Sequence, residues 1–190
     1  REPLAEACKA ANTAQHLSDV MAGTESGNRM NLETFVQRSY MEKILCDANR
    51  RFRDMSNGQF ELKLINVEDA GEGKNKGLDL EVLSIVTDKT RSVNTLSGGE
   101  SFMAALSLAL GMADQIQAAT AAIHLDVMFI DEGFGSLSDN ARNEAVNILK
   151  EMAGKQRQIG IISHVSELKD EIENQLIVKK DDRGSHISWR

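Results

Sequence analysis

Hydrophobic positions recur at helical spacing in five stretches of this chain. The spacing predicts helices over 4–21, 31–56, 100–119, 140–152 and 167–173. Each of these stretches ends at a glycine, a polar cluster or a change in pattern, so the helices are expected to be separate elements.

Two of these helices carry an apolar stripe that we expect to be buried. Asn31 can cap the earlier one and Gly58 can end it. The stripes consist of Phe35, Ile44, Leu45, Ala48 and Phe52 in the earlier helix, and of Phe102, Met103, Leu106, Leu110, Ala113 and Ile116 in the later one.

Between the helices the pattern changes to alternation or to short apolar runs. Alternation predicts an antiparallel pair over 59–67 and 78–86 and a closing hairpin over 176–189. The continuous runs 127–130 and 159–162 are typical of strands buried on both faces. Because a helix separates these runs, the two strands are expected to be parallel and to present their carboxyl ends at one sheet edge, where open α/β sheets bind ligands.

The first helix, over 4–21, has small apolar residues at a spacing compatible with one side of a coiled coil. Fewer than three heptads are present, and an ordinary surface helix is the alternative. The pattern stops at a predicted loop over 23–28. The chain begins at Arg1 inside this helix, so we expect it to be part of a longer polypeptide.

Composition narrows the class of protein. A chain of 190 residues with 41% hydrophobic content can form one domain with or without an appendage. Its formal charge of −7 argues against an autonomous, broadly basic nucleic-acid-binding domain.

Cys8 and Cys46 are far apart, so neither a zinc site nor a disulfide framework is indicated. No apolar run approaches the ~20 residues of a membrane span and no signal segment is recognised, so we expect a cytoplasmic protein with no membrane partner.

Two further segments have alternative interpretations. The arginine cluster at 50–53 could contact a nucleic-acid backbone, although a solvated helix face is the more common explanation. The loop over 71–77 suggests a Walker A phosphate-binding loop, but Glu68 and Asn75 stand where that loop needs a glycine and a Ser or Thr. A hairpin loop is therefore predicted there.

The segment Ser97-Gly98-Gly99-Glu100 begins the predicted helix over 100–119. Ser97 and Glu100 fit a capping box, in which each side chain satisfies a backbone donor. Each glycine in the first turn costs about 1 kcal/mol relative to alanine, which capping alone does not explain. Their missing side chains would let an anion approach the backbone N–H groups at the positive end of the helix dipole, and the segment therefore predicts a phosphate site.

Polar residues follow both apolar runs. Mg²⁺ prefers oxygen ligands, so Asp131 is expected to hold Mg²⁺ and Glu132 to polarise an attacking water in phosphoryl transfer. His164, at the end of the neighbouring strand, could hydrogen-bond a terminal phosphate. Taken singly, acids at a strand end are often turn residues and a lone histidine is often a surface group. Together with the glycine pair, the three residues predict one site.

The order of these segments resembles the C-terminal half of an ABC-type ATPase head. The stretches 94–102, 129–137 and 162–164 look most like the SbcC family, the SMC-like ATPase subunits of DNA repair nucleases. The sequence Gly-Phe-Gly at 133–135 is the discriminating detail, because other ABC heads usually carry a different sequence after the Asp-Glu pair.

The resemblance implies a role for each motif. The signature motif corresponds to 96–100, the Walker B strand to 127–132 and the D-loop to 135–139. Glu132 and His164 would be catalytic, with Asp131 as the metal ligand. The nucleotide-contacting positions would be Leu96, Ser97, Gly98, Gly99, Glu100, Ser136 and Leu137.

One position departs from the family pattern. Ser138 intervenes before the D-loop aspartate, Asp139, which leaves the role of that aspartate open. No Walker A or Q-loop is recognised in the chain, and in the resembled family both lie in the N-terminal half of the same polypeptide.

The resemblance also implies an architecture. The fold would be α/β, the C-terminal lobe of an ABC-ATPase head, with a mostly parallel sheet, flanking helices and antiparallel hairpins. Residues 1–23 would be a coiled-coil stub and residues 24–190 the C-terminal half of the head.

The implied function is that of an ATPase subunit in a DNA double-strand-break repair nuclease. Its cofactors would be ATP and Mg²⁺. Its partners would be the N-terminal half of the same head, a second head in a homodimer, the SbcD nuclease subunit and double-stranded DNA. The cycle of head dimerisation would control cleavage of DNA ends and hairpins.

Three alternatives differ in their sequence requirements. A transporter ATPase should have its Walker A upstream on the same compact chain and no coiled-coil arm. An SMC-type chromosome-organising head, or another coiled-coil ABC ATPase, should differ after Asp131-Glu132. A non-catalytic DNA-binding or scaffolding module is disfavoured by the acidic charge and by the set of Asp131, Glu132 and His164.

Overall fold

This computed structural model describes residues 2–23, 30–66, 77–119, 125–153, 158–182 and 184–190, with the backbone alone for 2–8. Most of each predicted loop, at 23–28 and at 71–77, lies outside these residues.

All five predicted helices are present. Asn31 caps the second as expected, because its side-chain oxygen accepts a hydrogen bond from the Thr34 N–H at 2.7 Å. Gly58 follows the end of that helix with a φ of 74°, the left-handed conformation that glycine adopts without strain. The helices are α1 (Glu2–Ala22), α2 (Leu32–Met55), α3 (Gly98–Ala119), α4 (Asp139–Ala153) and α5 (Leu168–Glu171).

Seven strands form three small sheets in the described part of the chain. They are β1 (Phe60–Leu64), β2 (Leu80–Ser84), β3 (Lys89–Ser92), β4 (Val127–Asp131), β5 (Gln158–Ile162), β6 (Leu176–Asp181) and β7 (Gly184–Trp189). The antiparallel pair β1–β2, the parallel pair β4–β5 and the hairpin β6–β7 confirm the predicted pairings. The α/β class is also confirmed.

Strand β3 has no counterpart among the predicted elements. It pairs antiparallel with β2, but its sequence, Lys-Thr-Arg-Ser, contains no apolar residue and so has no hydrophobic alternation to detect. Backbone pairing with β2, rather than burial of side chains, defines this strand.

The centre of the core is the interface between α2 and α3. Leu45, Ala48 and Phe52 of α2 are buried. At Gly111 of α3, a Cβ would lie only 2.7 Å from the carbonyl oxygen of Ile44. The glycine therefore allows the two helix backbones to approach closely.

The predicted stripes were wrong at their ends. Phe35 is 62% exposed, and after Thr34 the buried residues of α2 begin only at Leu45. Ile116 on α3 is also exposed. The hydrogen bonds and the close backbone contact between the two helices involve the second half of α2, so Phe35 lies beyond them. Ile116 follows Gln115, which contacts Asp47, so Ile116 lies within the contacting part of α3 but on its exposed side.

The prediction that β4 and β5 are buried on both faces was wrong. Ile130 faces the core, whereas Val127, Phe129 and Ile162 are exposed, Phe129 by 73%. In the parallel register, Val127, Phe129 and Ile162 lie on the same side of the sheet. The core covers one side of this two-stranded sheet and the described residues leave the other uncovered.

Helix α3 is the one helix in the described ranges that is long and apolar enough, by length and composition alone, to cross a membrane. In this fold its Met103, Leu106, Leu110 and Ala113 are buried in the core. A central core helix satisfies the same length and composition test, and α3 is such a helix.

We expect Gly111→Ala to lower the free energy of unfolding by roughly 1–3 kcal/mol, because the added Cβ would press on the backbone of α2. Helix propensity alone would change stability by about 1 kcal/mol in the opposite direction. Urea denaturation measures the difference. Ala105→Gly, on the exposed side of the same helix, is the control for propensity. A stabilised Gly111→Ala protein would contradict the close packing.

Candidate functional site

The turn that begins α3 is a reciprocal capping box. The Ser97 N–H donates to Glu100 Oε2 at 2.7 Å, and the Glu100 N–H donates to Ser97 Oγ at 3.3 Å. Ser97 is exposed. The predicted capping box is therefore present, and it leaves the serine accessible from outside the domain.

Arg91 of β3 extends this network. Its guanidinium lies 3.3 Å from Glu100 Oε2 and donates to the Thr95 carbonyl oxygen at 2.8 Å. Burial would raise the pKa of Glu100, but the hydrogen bonds from Ser97 and the charge of Arg91 outweigh it, so the pKa is lowered from its ordinary value. Glu100 is thus held as a carboxylate at the start of the helix.

The two glycines of the turn have different surroundings. A Cβ at Gly99 would lie 2.6 Å from the carbonyl oxygen of Ser136, whereas a Cβ at Gly98 would make an ordinary contact of 3.7 Å with the Ser136 side chain. Gly99 is therefore required for packing within this domain. Packing thus explains Gly99 but not Gly98, and the phosphate site predicted at this turn stays a prediction.

Asp131, Glu132 and His164 meet at the carboxyl ends of β4 and β5. The Glu132 N–H donates to the carbonyl oxygen of Ile162 at 2.9 Å and continues the parallel ladder by one residue. Glu132 Oε2 lies 2.8 Å from His164 Nδ1. The two side chains are 54% and 79% exposed, respectively, so the pair is open to a ligand or to water.

The turn after β4 has an unusual backbone. Glu132 has a φ of 58° and Gly133 a φ of 91°. A non-glycine residue in the left-handed region is uncommon and is often associated with function. A Cβ at Gly133 would overlap the ring of Phe102 from α3, and Phe102 in turn packs edge-to-face on the buried Phe134 with 5.0 Å between ring centroids. Packing against the first turns of α3 thus shapes the segment that carries Glu132.

The D-loop segment joins this turn to α4. Ser136 Oγ donates to the Gly133 carbonyl oxygen at 2.8 Å, and Ser136 is exposed. Leu137 is buried. Leu96 belongs to the turn at residues 96–100 that begins α3, which we call the signature turn, and it is half-buried against the same core. Ser136 is therefore accessible, as are Gly135, Ser138 and Asp139, whereas Leu137 is the buried residue of this segment.

The inserted Ser138 has a clear structural role. Its Oγ accepts a hydrogen bond from the Ala141 N–H at 3.4 Å, in the manner of a helix N-cap for α4. Asp139 pairs with Arg142 at 3.1 Å, and Arg142 also donates to the Leu137 carbonyl oxygen at 3.2 Å. Asp139 is thus engaged within its own helix turn.

The structure packs the start of α3 against the segment that follows β4. Gly99 touches Ser136, and Phe102 touches Gly133, so α3 contacts both ends of the segment after β4. Two residues of this arrangement, Arg91 and Arg142, are not among the site residues predicted from the sequence. A lone arginine has no pattern of its own, and only its contacts reveal it.

The three arginines of the cluster at 50–53 have different surroundings, and Arg50 is exposed. Arg51 is buried and pairs with Asp114 of α3 at 2.5 Å, and Arg53 pairs with Glu61 of β1 at 3.2 Å. Arg51 therefore does not belong to a solvated helix face and is not available to a nucleic-acid backbone, because Asp114 neutralises its charge inside the α2–α3 interface.

Gly99→Ala should destabilise the protein by roughly 1–3 kcal/mol, because the added Cβ would press on the Ser136 carbonyl oxygen. The matched control is Gly98→Ala, for which only an ordinary contact is expected, so helix propensity should raise stability by up to about 1 kcal/mol. The comparison is made by thermal or urea denaturation of both variants. Equal effects of the two substitutions would contradict the packing role of Gly99.

Glu100→Gln should reduce stability at neutral pH, and its difference from the wild type should shrink in acid. Because the folded protein lowers the pKa of Glu100 below the ordinary value of 4.5, the carboxylate stabilises the fold above that pH. This contribution is lost as the pH falls through the folded pKa. Urea denaturation from pH 7 to pH 3 measures the difference, with Glu173→Gln as the control at an exposed acid. If the difference in free energy of unfolding between the wild type and Glu100→Gln did not change with pH, the lowered pKa of Glu100 would be contradicted.

The motifs of this site are shared with known proteins. Residues 78–151, which include the signature turn, β4 and the D-loop segment, match the family model described as "SbcC/RAD50-like, Walker B motif". The SbcC subunit of the nuclease SbcCD from Treponema pallidum is 41% identical over 171 residues, which are 90% of this chain and 16% of that protein. The SbcC subunit from Vibrio cholerae is 45% identical over 172 residues, which are 90% of this chain and 17% of that protein.

The fold is shared with SMC ATPase heads. A structure from a study of "ATP-driven dimerization and DNA stimulated activation of SMC ATPases" superposes with a TM-score of 0.63 at 19% identity, over 83% of this chain and 89% of that one. The chain spans less than a fifth of the length of the SbcC proteins that it matches. From its motifs, its fold and this similarity, the chain belongs to the SbcC/RAD50-like family.

Proposed function

We propose that this chain is one half of an ATP-hydrolysing head in a DNA double-strand-break repair nuclease complex. The observation that carries the proposal is the pair formed by Glu132 and His164, 2.8 Å apart and exposed at the carboxyl ends of two parallel strands. In open α/β sheets, this edge is the place where ligands bind.

Glu132 is proposed to position the attacking water for phosphoryl transfer. Its carboxylate is accessible, and it contacts His164 Nδ1 at 2.8 Å. Positioning and electrostatic stabilisation account for most of the catalysis in phosphoryl transfer, so an accessible acid beside the terminal phosphate is suited to this role. The imidazole of His164 is proposed to contact that phosphate.

Asp131 is proposed to be the protein ligand of Mg²⁺. Within the described ranges, no group of three or more His, Cys, Asp or Glu side chains could enclose a metal ion. Mg²⁺ usually needs only one or two carboxylates, with water and substrate phosphates completing its shell, and the exposed Asp131 at the end of β4 fits that requirement. When bound, Mg²⁺ would neutralise charge that develops on the phosphates.

The signature turn is proposed to close over the nucleotide of a second head. Ser97 is exposed with its backbone N–H already satisfied, and a serine hydroxyl can donate to a phosphate while it accepts from the Glu100 N–H. Leu96, Gly98 and Glu100 would shape this surface, with Gly99 holding Ser136 and Leu137 alongside it. ATP binding would then join two heads into a dimer.

The rest of the head would come from the N-terminal half of the same polypeptide, with its Walker A. The exposed apolar side of β4–β5, with Val127, Phe129 and Ile162, is the surface that we expect this half to cover. Residues 1–23, including α1, are proposed to be the stub of a coiled-coil arm. The other proposed partners are the SbcD nuclease and double-stranded DNA, in the cytoplasm and away from any membrane.

The second candidate is an SMC-type chromosome-organising head. It is favoured by the shared fold, but identity is 19% to the SMC head compared with 41% and 45% to the SbcC proteins. The nuclease-associated function is therefore the better supported one.

The test is hydrolysis in the head that combines this chain with its N-terminal half. ATP turnover should appear on combination, while the isolated chain should hydrolyse hardly any ATP. Glu132→Gln should abolish turnover, because the amide cannot activate water, and should prolong the ATP-bound dimer. Phosphate release measures turnover, and analytical ultracentrifugation measures dimerisation.

The matched control is Glu144→Gln, an acid-to-amide change on α4, which should leave turnover unchanged. Unchanged turnover in Glu132→Gln would refute the role of Glu132. Absence of turnover in the wild-type combination would refute the ATPase function itself.

A further inference from the structure

Arg91 occupies a position that links three parts of the domain. It is on β3, outside the signature motif, and its guanidinium lies 5.4 Å from the centre of the Phe60 ring on β1. The same group donates to the Thr95 carbonyl oxygen at 2.8 Å and to Glu100 Oε2 at 3.3 Å. One half-buried side chain thus contacts the turn before and after Ser97.

The residues before Ser97 are held by their own hydrogen bonds as well. Thr95 Oγ1 donates to the Ser92 carbonyl oxygen at 2.6 Å, and the Asn94 N–H donates to Ser92 Oγ at 3.3 Å. The segment from β3 to α3 is therefore a continuous hydrogen-bonded turn. Arg91 is the side chain that joins its beginning to its end.

The charge of Arg91 has a separate consequence. Glu100 Oε2 accepts from both the Ser97 N–H and Arg91, and Arg91 is the cation that pairs with Glu100 in the described part of the chain. A carboxylate at the opening of a helix would repel an approaching triphosphate. A guanidinium 3.3 Å away neutralises that carboxylate and leaves the positive end of the helix dipole available.

We propose that Arg91 is a positioning residue for the signature turn, which it holds in the shape and charge state needed to meet the terminal phosphate bound by a second head. This inference rests on the proposed function. Arg91 itself contacts neither nucleotide nor water in this role, because its donors are directed to Thr95 and Glu100.

The experiment uses the full-length protein with Glu132→Gln, so that ATP is bound without being consumed. Arg91→Ala should lower ATP-dependent engagement of the two heads by about ten-fold, the size expected from the loss of one charge-assisted hydrogen bond. Cross-linking between the heads as a function of ATP concentration measures engagement. ADP lacks the terminal phosphate, so its affinity reports the head's own site and should not change.

Arg91→Lys should recover part of the engagement, because lysine restores the charge without the two-directional fork of the guanidinium. The matched control is Arg53→Ala, which removes another arginine that pairs with a glutamate, far from the signature turn in sequence. The heads of the Arg53→Ala protein should engage at the same ATP concentrations as those of the parent protein.

Equal engagement in Arg91→Ala and Arg53→Ala would overturn the inference. If Arg91→Ala lost its affinity for ADP as well as its head engagement, the inference would also be overturned, because general damage to the fold would then explain both losses. No recovery in Arg91→Lys would overturn the role of the charge. Absence of ATP-dependent engagement in the parent protein would instead refute the proposed function, and the inference would fall with it.

Discussion

The contact between the first turns of α3 and the segment after β4 is the constraint on which the rest of the site depends. Gly99 lies against the Ser136 carbonyl oxygen and Phe102 lies against Gly133. Neither contact tolerates a larger residue at the glycine without a shift in backbone or ring. The start of one helix and the segment after one strand are therefore held in a fixed relation.

The glycines of α3 and of the segment after β4 have different structural roles. A glycine in a helix costs about 1 kcal/mol relative to alanine, so a retained glycine needs a local reason. Gly99 and Gly111 have such a reason in close backbone approach, to Ser136 and to α2, respectively. Gly133 has two, a φ of 91° and the ring of Phe102. Gly98 has an ordinary contact only, so packing within the domain does not explain it.

The described residues leave apolar surface uncovered beside the acidic edge of the parallel sheet. The uncovered side of β4–β5 carries Val127, Phe129 and Ile162 beside Asp131, and the hairpin β6–β7 exposes further apolar side chains, including Trp189. A two-stranded sheet needs a covered apolar face for stability in water. Apolar surface next to the acidic edge is the observation behind the proposal that a further part of the head covers this face.

The sequence by itself determined the local elements and the composition of the site. Periodicity located the five helices, alternation located β1, β2 and the closing hairpin, and the residues at 97–100, 131–132 and 164 indicated phosphate chemistry. These features depend on neighbours within a few positions, so they can be recognised from the sequence. Only the tertiary structure decided which side of β4 is buried, that Arg51 is neutralised by Asp114, and that Arg91 joins Thr95 to Glu100. Exposure and pairing depend on elements that are distant in the chain, and a single strand, arginine or glycine carries no local signal of what will pack against it.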